Sequence, residues 1–472
     1  MFKILLQITA CLALTTLSSC SSLQFSDIFS SYSTQMQPAR SAQLQGDFNL
    51  AESLIKVRSH SDGSYALSLL ELGRLQYLNL NWSMSEQSFA TAYQQIQASQ
   101  AKAKIQLSRG MENVAAIISN ENALRYDIPF YEQSMLHSYQ ALNYLYQQAF
   151  ESALVEIRRA NLIQEKALLS HQETLIKAQQ AMINSGINQS SFAKSYPSMS
   201  ASIGEVKNGF QNAYTFYLSA LLYEGAGELN DAYIDYKKAL EIFPHNHYLQ
   251  QDVLRLATQL AMTDDLAYFE QQFGEYQKND SGASGQLVVL IEQGVISPKE
   301  EVNVNLPIFT RHNDMRFYSI ALPTYHQPAF ASTPFQLSLN EQTYQSEEIV
   351  RLQSLAAKQQ EEHLPAIVAR QILRLVAKEE MRQQMSRKGG DVGNILANLY
   401  NIASERADTR SWSTLPDNVQ LIRVSLPVGK HQLTLKQNGL TELINIDINP
   451  KQISLINMVS IGNTINHQTI YF

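Results

Sequence analysis

The chain has very little cysteine and no long apolar run beyond its first residues. Among 472 residues there are two cysteines, Cys11 and Cys20, and both lie near the N-terminus. A framework of disulfide bonds is therefore excluded, and core burial must stabilise the fold. No later stretch approaches about 20 apolar residues, so no transmembrane helix is predicted. The formal net charge of −7 argues against nucleic acid as a partner.

Motifs that carry catalysis or hold metal ions are also missing. His245 and His247 have no cysteine or acidic cluster beside them. Ser284 lies between Ala283 and Gly285 and lacks the G-x-S-x-G pattern of a nucleophile elbow. We therefore expect no catalytic residue, no metal site and no cofactor, and we expect the protein not to be an enzyme. A glycosidase-type carboxylate pair, distant in sequence, stays open.

The first twenty residues have the pattern of an export signal. An apolar run over 4–17 is followed by Leu17-Ser18-Ser19-Cys20, which resembles the lipobox of bacterial lipoproteins. The resemblance implies that residues 1–19 are removed and that Cys20 is acylated. Ser21 in place of Asp then implies the outer membrane, with the protein facing the periplasm. An ordinary signal peptide with an incidental cysteine is the alternative.

The stretch over 214–244 predicts a pair of antiparallel helices. Ala220 and Ala232 are small where the two helices would cross, and Pro244 would end the second helix. With Phe216, Tyr223 and Tyr236, they match the pattern of the 34-residue tetratricopeptide (TPR) repeat. The stretch thus resembles a TPR unit. Weaker matches over 69–92 and 131–165 indicate a divergent TPR-like helical solenoid.

Composition and periodicity divide the chain into four parts. Residues 20–45 are rich in Ser and Gln and are predicted to be a lipidated cysteine and flexible tether. Residues 46–280 are predicted to be the TPR-like helical domain. Residues 281–472 are predicted to be an α+β domain that ends in a β meander, with helices over 345–386, broken at 363–365, and over 391–405. The expected fold class is α+β, mainly α.

Four blocks also resemble a family of uncharacterised proteobacterial outer-membrane lipoproteins with an N-terminal TPR-like region. They are YDIPFY at 126–131, EIRRAN at 156–161, GQLVVLIEQG at 285–294 and SERADTRSW at 404–412. The resemblance covers most of the chain that follows Cys20. It implies an architecture, and it implies no activity.

Candidate partner-binding residues follow from the TPR resemblance, because first-helix residues line the inner surface of TPR arrays. Tyr and Arg are enriched at interface hot spots. The resemblance therefore implies contacts with a partner by Arg74, Tyr77, Leu142, Tyr214 and Tyr217. The alternative is that these tyrosines pack against inserted helices.

A dense polar cluster before the last strands is a possible secondary site. It consists of Arg406, Asp408, Arg410 and Trp412. A salt-bridged junction with Trp412 filling the core is the favoured alternative.

These observations predict a lipid-anchored periplasmic scaffold without catalytic activity. Its partner would be a protein or peptide of the cell envelope, and the N-terminal lipid would bind the outer membrane. Two alternatives stay open: an accessory regulator or enzyme of cell-wall metabolism, and a structural subunit of an envelope ring or secretion complex.

Overall fold

The computed structural model has helices in its first part and strands in its second. It describes residues 30–108, 124–187, 189–276, 284–309, 315–328, 332–339, 342–377 and 406–472. The signal segment, Cys20 and the helix predicted over 391–405 lie outside the described residues. Within the described part of the chain, no helix combines the length and the apolar character needed to cross a bilayer.

The chain is already folded where a tether was predicted. Helices α1 (Tyr32–Leu44) and α2 (Phe48–Ser53) begin the helical region. Met36, Ala39 and Ala42 are buried on one face of α1. Their spacing of three residues follows the helical period, so α1 presents a narrow apolar face to the core. The tether prediction is therefore wrong for Tyr32–Leu44, where polar composition conceals this face.

Three antiparallel helix pairs form most of the helical region, as the sequence predicts. Shorter helices follow the second pair, and two helices extend the array after the third. The pairs are α3 (Tyr65–Leu78) with α4 (Trp82–Ser108), α5 (Phe130–Tyr146) with α6 (Phe150–Asn184), and α9 (Ala213–Gly225) with α10 (Leu229–Ile242). The others are α7 (Gln189–Ser195), α8 (Ser200–Ile203), α11 (His247–Gln259) and α12 (Thr263–Phe273).

Small residues lie where paired helices approach most closely. Ala220 and Ala232 are fully buried between α9 and α10, which confirms their predicted place at the crossing. In the first pair, a Cβ added at Gly73 would lie 2.8 Å from the Phe89 ring. This separation is shorter than van der Waals contact, so Gly73 permits the close packing of α3 on α4.

Eleven strands in the described residues form three sheets. A five-stranded sheet has the order β11-β10-β1-β7-β6, a four-stranded sheet has the order β5-β4-β8-β9, and β2 pairs with β3. The strands are β1 (Ser284–Gln293), β2 (Glu300–Phe309), β3 (Met315–Thr324), β4 (Gln336–Leu339), β5 (Gln342–Gln345), β6 (Glu347–Arg351), β7 (Asn418–Pro427), β8 (Gly429–Gln437), β9 (Leu440–Ile448), β10 (Ile453–Ile461) and β11 (Thr464–Tyr471).

The last five strands do not form the predicted meander. Strands β7, β10 and β11 belong to the five-stranded sheet, while the β8–β9 hairpin belongs to the four-stranded one. Strand β10 runs parallel to β1, with Leu290 opposite Asn457. The meander prediction is wrong because hairpin turns indicate which strands follow one another, and they do not indicate which distant strand becomes the neighbour.

A long helix, α13, spans 352–377 between β6 and β7. It continues through His363, Leu364 and Pro365, where the sequence predicts a break. That prediction is wrong because the buried residues Leu364, Val368 and Ile372 hold one face of α13 in the core through the proline. The helix lies within the strand-rich half, as the sequence predicts.

The five-stranded sheet covers the first helices of the pairs. Glu292, Asn457 and Arg423, on three adjacent strands, each bond to side chains of the helical array. Every residue of β10 is buried, so both faces of this strand are covered. The helical region and the sheet therefore share one continuous hydrophobic core.

Candidate functional site

The five candidate partner-binding residues lie inside the protein. Arg74, Leu142, Tyr214 and Tyr217 are fully buried, and Tyr77 is 2% exposed. The expectation that they line an open inner surface is therefore corrected, because the chain's own sheet covers that surface. Contact between these side chains and a partner stays a prediction, and it requires that the sheet be displaced.

Arg74 is held by ionic and aromatic contacts at this covered face. Its guanidinium is paired with the Glu292 carboxylate of β1, and both side chains are buried. The guanidinium carbon also lies 4.5 Å from the centre of the Tyr139 ring and 5.2 Å from that of Tyr77. These separations are those of cation–π contacts. Arg74 therefore joins the first and second helix pairs to the sheet.

A second charged network joins the third helix pair to β7. Arg423 donates from Nη2 to Glu224 Oε1 at 3.0 Å and from Nη1 to the Tyr236 hydroxyl at 2.7 Å. Arg255 donates from Nη1 to the same Glu224 oxygen at 2.8 Å. Burial opposes ionisation of Glu224, but the two guanidinium groups outweigh it and lower the pKa of Glu224 to about 2. Glu224 is therefore charged in the core.

The predicted secondary cluster is buried for the most part. Arg410 pairs with Asp408, with 2.7 Å between Nη2 and Oδ2, and its Nη1 donates to the Leu124 carbonyl at 2.8 Å. Trp412 is fully buried, with its ring centre 5.7 Å from that of Phe89. Arg406 is partly buried at the start of this segment. The structure thus agrees with the alternative in which these residues form a packed junction.

Two buried glutamates bind the backbone that follows this cluster. Glu71 accepts hydrogen bonds from the backbone N–H groups of Ser413 and Thr414, at 2.8 and 3.0 Å. Glu132 accepts one from the Trp412 N–H at 2.9 Å. Burial raises the pKa of Glu132 to about 7, although this bond and those from Tyr126 and Tyr131 act in the opposite direction. The segment is therefore attached to α3 and α5 by carboxyl groups.

An open cleft lies on another side of the helical array. Its volume is about 650 Å³, which is within the range of ligand sites in proteins. Its walls come from α4, from the chain before α5, from the second half of α6, from the chain before α9 and from α13. Its lining includes Ser99, Gln100, Arg125, Tyr126, Phe130, Lys166, Ser170, His171, Thr174, Gly209, Phe210 and Glu362.

Basic side chains lie at the α4 wall of this cleft. Arg125 Nη1 donates to Ser99 Oγ at 2.7 Å, and Lys166 Nζ donates to Gln100 Oε1 at 3.2 Å. Both acceptors are neutral. Among the described residues, no carboxylate lies within salt-bridge distance of Arg125. Arg125 can therefore pair with a negatively charged group of a bound molecule.

An acid and an imidazole lie at the α13 wall. Glu362 Oε1 is 3.6 Å from His171 Nε2, and Glu362 Oε2 accepts a hydrogen bond from the Gly209 N–H at 3.2 Å. Burial raises the pKa of Glu362 to about 7 and lowers the pKa of His171. A Cβ added at Gly209 would lie 2.5 Å from the backbone of Gln359. Glycine there permits the loop to approach α13 and to bond to Glu362.

Two hydroxyl groups on the same helix as His171 form hydrogen bonds to backbone carbonyls. Ser170 Oγ donates to the Lys166 carbonyl at 3.0 Å, and Thr174 Oγ1 donates to the Ser170 carbonyl at 2.8 Å. Neither is held by His171, so neither is placed as an activated nucleophile. The cleft instead contains hydrogen-bond donors and acceptors together with the aromatic rings of Phe130 and Phe210. This chemistry is suited to holding a polar ligand.

Sequence reasoning did not find the cleft. Two sequence features could have indicated it. The block YDIPFY at 126–131 forms part of one wall, and Lys166, Ser170 and Thr174 share one face of α6. That face could not be interpreted from the sequence, because the elements opposite it lie more than thirty residues away in both directions.

Comparisons with known proteins match only part of the chain. No family model matches it, and no curated protein matches it. Two solved structures of MamA are similar to it at 12% sequence identity. One has a TM-score of 0.27 and covers 50% of this chain and 91% of its own. The other has a TM-score of 0.28 and covers 53% of this chain and 97% of its own.

Proposed function

We propose that this protein is a non-catalytic scaffold that holds a partner protein or peptide in the cleft. The proposal includes the N-terminal lipid: acylated Cys20 anchors the chain in the outer membrane, and the folded region faces the periplasm. The partner is then a component of an envelope assembly.

The observation that carries this proposal is the contrast between the cleft and the rest of the array. The first-helix face is occupied by the sheet, whereas the cleft is open and lined by basic, acidic, amide and aromatic side chains. Binding sites commonly combine an apolar lining with a few placed polar groups. Ser170 and Thr174 bond to backbone carbonyls and not to His171, which supports binding over nucleophilic catalysis by these hydroxyl groups.

Capture from detergent-solubilised envelope tests the site. Arg125→Ala removes an exposed cation from the cleft and should weaken capture of a specific partner by tenfold or more, in the range of a hot-spot residue. Arg158→Ala is the matched control, because Arg158 is exposed on α6 and paired with Glu228 at 3.0 Å, outside the cleft lining. Equal loss of capture in both variants contradicts a site in the cleft.

The anchor is tested separately. Cys20→Ala should abolish acyl labelling and release the chain from membranes, because the lipobox resemblance assigns the acyl group to this cysteine. Persistence of acyl labelling in this variant would overturn the assignment. Partner capture by the purified variant should be unchanged, so the two parts of the proposal can fail independently.

A further inference from the structure

Helix α6 has an exposed apolar stripe that no described residue covers. Its members are Val155, Leu162, Leu169, Ile176 and Ile183, and each follows the last by seven residues. Their exposed fractions lie between 44% and 82%, with Leu169 the highest. Exposed apolar patches of this kind mark interaction sites in soluble proteins.

The spacing indicates the shape of the partner. A straight helix turns about 100° per residue, so positions seven apart drift only about 20° around its axis. Five such positions drift by about 80° in total and therefore form one gradually turning seam along most of the helix. Helices that pack along one another carry apolar residues at two positions of each seven-residue repeat, and the stripe on α6 supplies one of these two positions in every repeat. The seam is therefore complementary to a second helix.

The order of the seam residues indicates which helix that is. Leu169 is the middle of the five positions, with two apolar residues on each side. An antiparallel copy of α6, related by a two-fold axis at Leu169, places Leu162 opposite Ile176 and Val155 opposite Ile183. Every apolar position then meets an apolar position, as an isologous interface requires.

Polar residues beside the seam fit the same arrangement. Four residues after each of the first four seam positions come Arg159, Lys166, Glu173 and Gln180. The two-fold axis brings Lys166 near Glu173 of the other copy and Arg159 near Gln180. Glu173 already pairs with Lys177 of its own helix at 2.5 Å, so a second cation adds to an existing pair.

The row on the opposite side of the seam is also compatible. It contains Arg158, Glu165, Gln172 and Gln179. In the antiparallel arrangement Glu165 approaches Gln172 of the other copy, and Arg158 approaches Gln179. Neither row places like charges opposite each other.

We propose that two copies of this chain associate through antiparallel α6 helices along the seam from Val155 to Ile183. This goes beyond the partner scaffold, because none of the five seam residues lines the cleft, and only Lys166 belongs both to the cleft wall and to the rows beside the seam. Each dimer would then present two clefts.

Sedimentation of the full chain in detergent tests the association. The wild type should be dimeric at micromolar concentration, and Leu169→Glu should be monomeric, because it places two carboxylates at the two-fold axis. Leu443→Glu is the control, since Leu443 is 60% exposed on β9 and outside the seam. A monomeric wild type, or a dimer unaffected by Leu169→Glu, overturns the proposal.

Cysteine cross-linking tests the orientation. Leu169→Cys should cross-link to itself. Leu162→Cys alone should not, because the antiparallel arrangement separates its two copies by about 21 Å along the helix. A mixture of Leu162→Cys and Ile176→Cys chains should cross-link. The parent chain without an introduced cysteine sets the background. Self-cross-linking by both Leu162→Cys and Leu169→Cys would indicate parallel helices and overturn the antiparallel dimer.

Discussion

Charged residues are buried and paired on one side of the helical array, whereas basic residues are exposed on the other. On the first-helix face, Arg74 and Glu224 are buried and paired with residues of the sheet. In the cleft, Arg125 and Lys166 are exposed and meet neutral acceptors. The comparison teaches that aromatic and basic character at first-helix positions does not identify a free surface, since a later part of the same chain can cover it.

Removing one member of a buried pair should give the largest effect in this comparison. Arg74→Met leaves the Glu292 carboxylate unpaired in the core and should lower the free energy of unfolding by about 3–5 kcal/mol. Denaturant unfolding measures the loss. Arg158→Met is the control: its pair with Glu228 is 46% and 39% exposed, so the change should be below about 1 kcal/mol.

A double substitution sharpens the interpretation. Replacing Arg74 by Met and Glu292 by Leu removes both charges and should recover most of the lost stability, because a well-packed apolar pair can replace a buried ion pair. If the double variant is as unstable as the single one, the shape of the packing around Arg74 matters more than the unpaired charge.

The buried carboxyl of Glu132 should make stability depend on pH. Its pKa is raised to about 7 in the folded protein, so the folded state binds a proton that the unfolded state releases near its ordinary value. Stability from this group is present below about pH 4 and is lost as the pH rises through 7.

Glu132→Gln tests this dependence. Relative to the variant, the wild type should lose roughly 1–3 kcal/mol of unfolding free energy between pH 5 and pH 8. Urea unfolding of both proteins at the two pH values isolates Glu132, because other groups titrate alike in both. Parallel pH profiles would contradict a raised pKa.

The helix crossing at Ala232 should respond moderately to overpacking. Ala232 is fully buried against α9, so Ala232→Leu should cost roughly 1–3 kcal/mol of unfolding free energy. Thermal unfolding measures the effect. An unchanged melting temperature would mean that the crossing can open to accept a larger side chain, in contrast to the dense core described for this pair.

The cleft should give the smallest effect on stability. Arg125→Ala should change the free energy of unfolding by less than about 0.5 kcal/mol, because Arg125 is exposed and its side chain bonds to the hydroxyl of the partly buried Ser99. The same denaturant series used for Arg74→Met provides the comparison. A loss of several kcal/mol would show that Arg125 maintains the fold, and would remove its value as a probe of binding.

Local patterns predicted the parts of the fold that depend on neighbouring residues. Small residues such as Ala220 and Ala232 located the α9–α10 pair, and alternation located strands such as β8. The same reasoning missed α1, whose Ser- and Gln-rich sequence conceals the buried Met36 and Ala39. It also missed the pairing of β1 with β10, since their sequences do not indicate which distant edge they join.

The site was less predictable than the fold. Tyr214 and Tyr217 are of a residue type that is common at interfaces. They are buried because β1 and β7, which come later in the chain, cover them. The cleft depends on loops and helices brought together from residues near 99, 125, 171, 209 and 362. The spacing of residues within one helix or loop does not indicate that these distant segments lie together.

The bond between Arg74 and Glu292 joins residues that are 218 positions apart. Tyr77 bonds to Asn457 across 380 positions. During synthesis, the first helix pair therefore emerges long before its buried partners exist. Contacts between such distant residues fold slowly and leave apolar and charged surfaces uncovered in the interval. We therefore expect the nascent chain to need protection from aggregation until its final hairpin has been made, and C-terminal truncations to be degraded rather than to accumulate as a folded helical fragment.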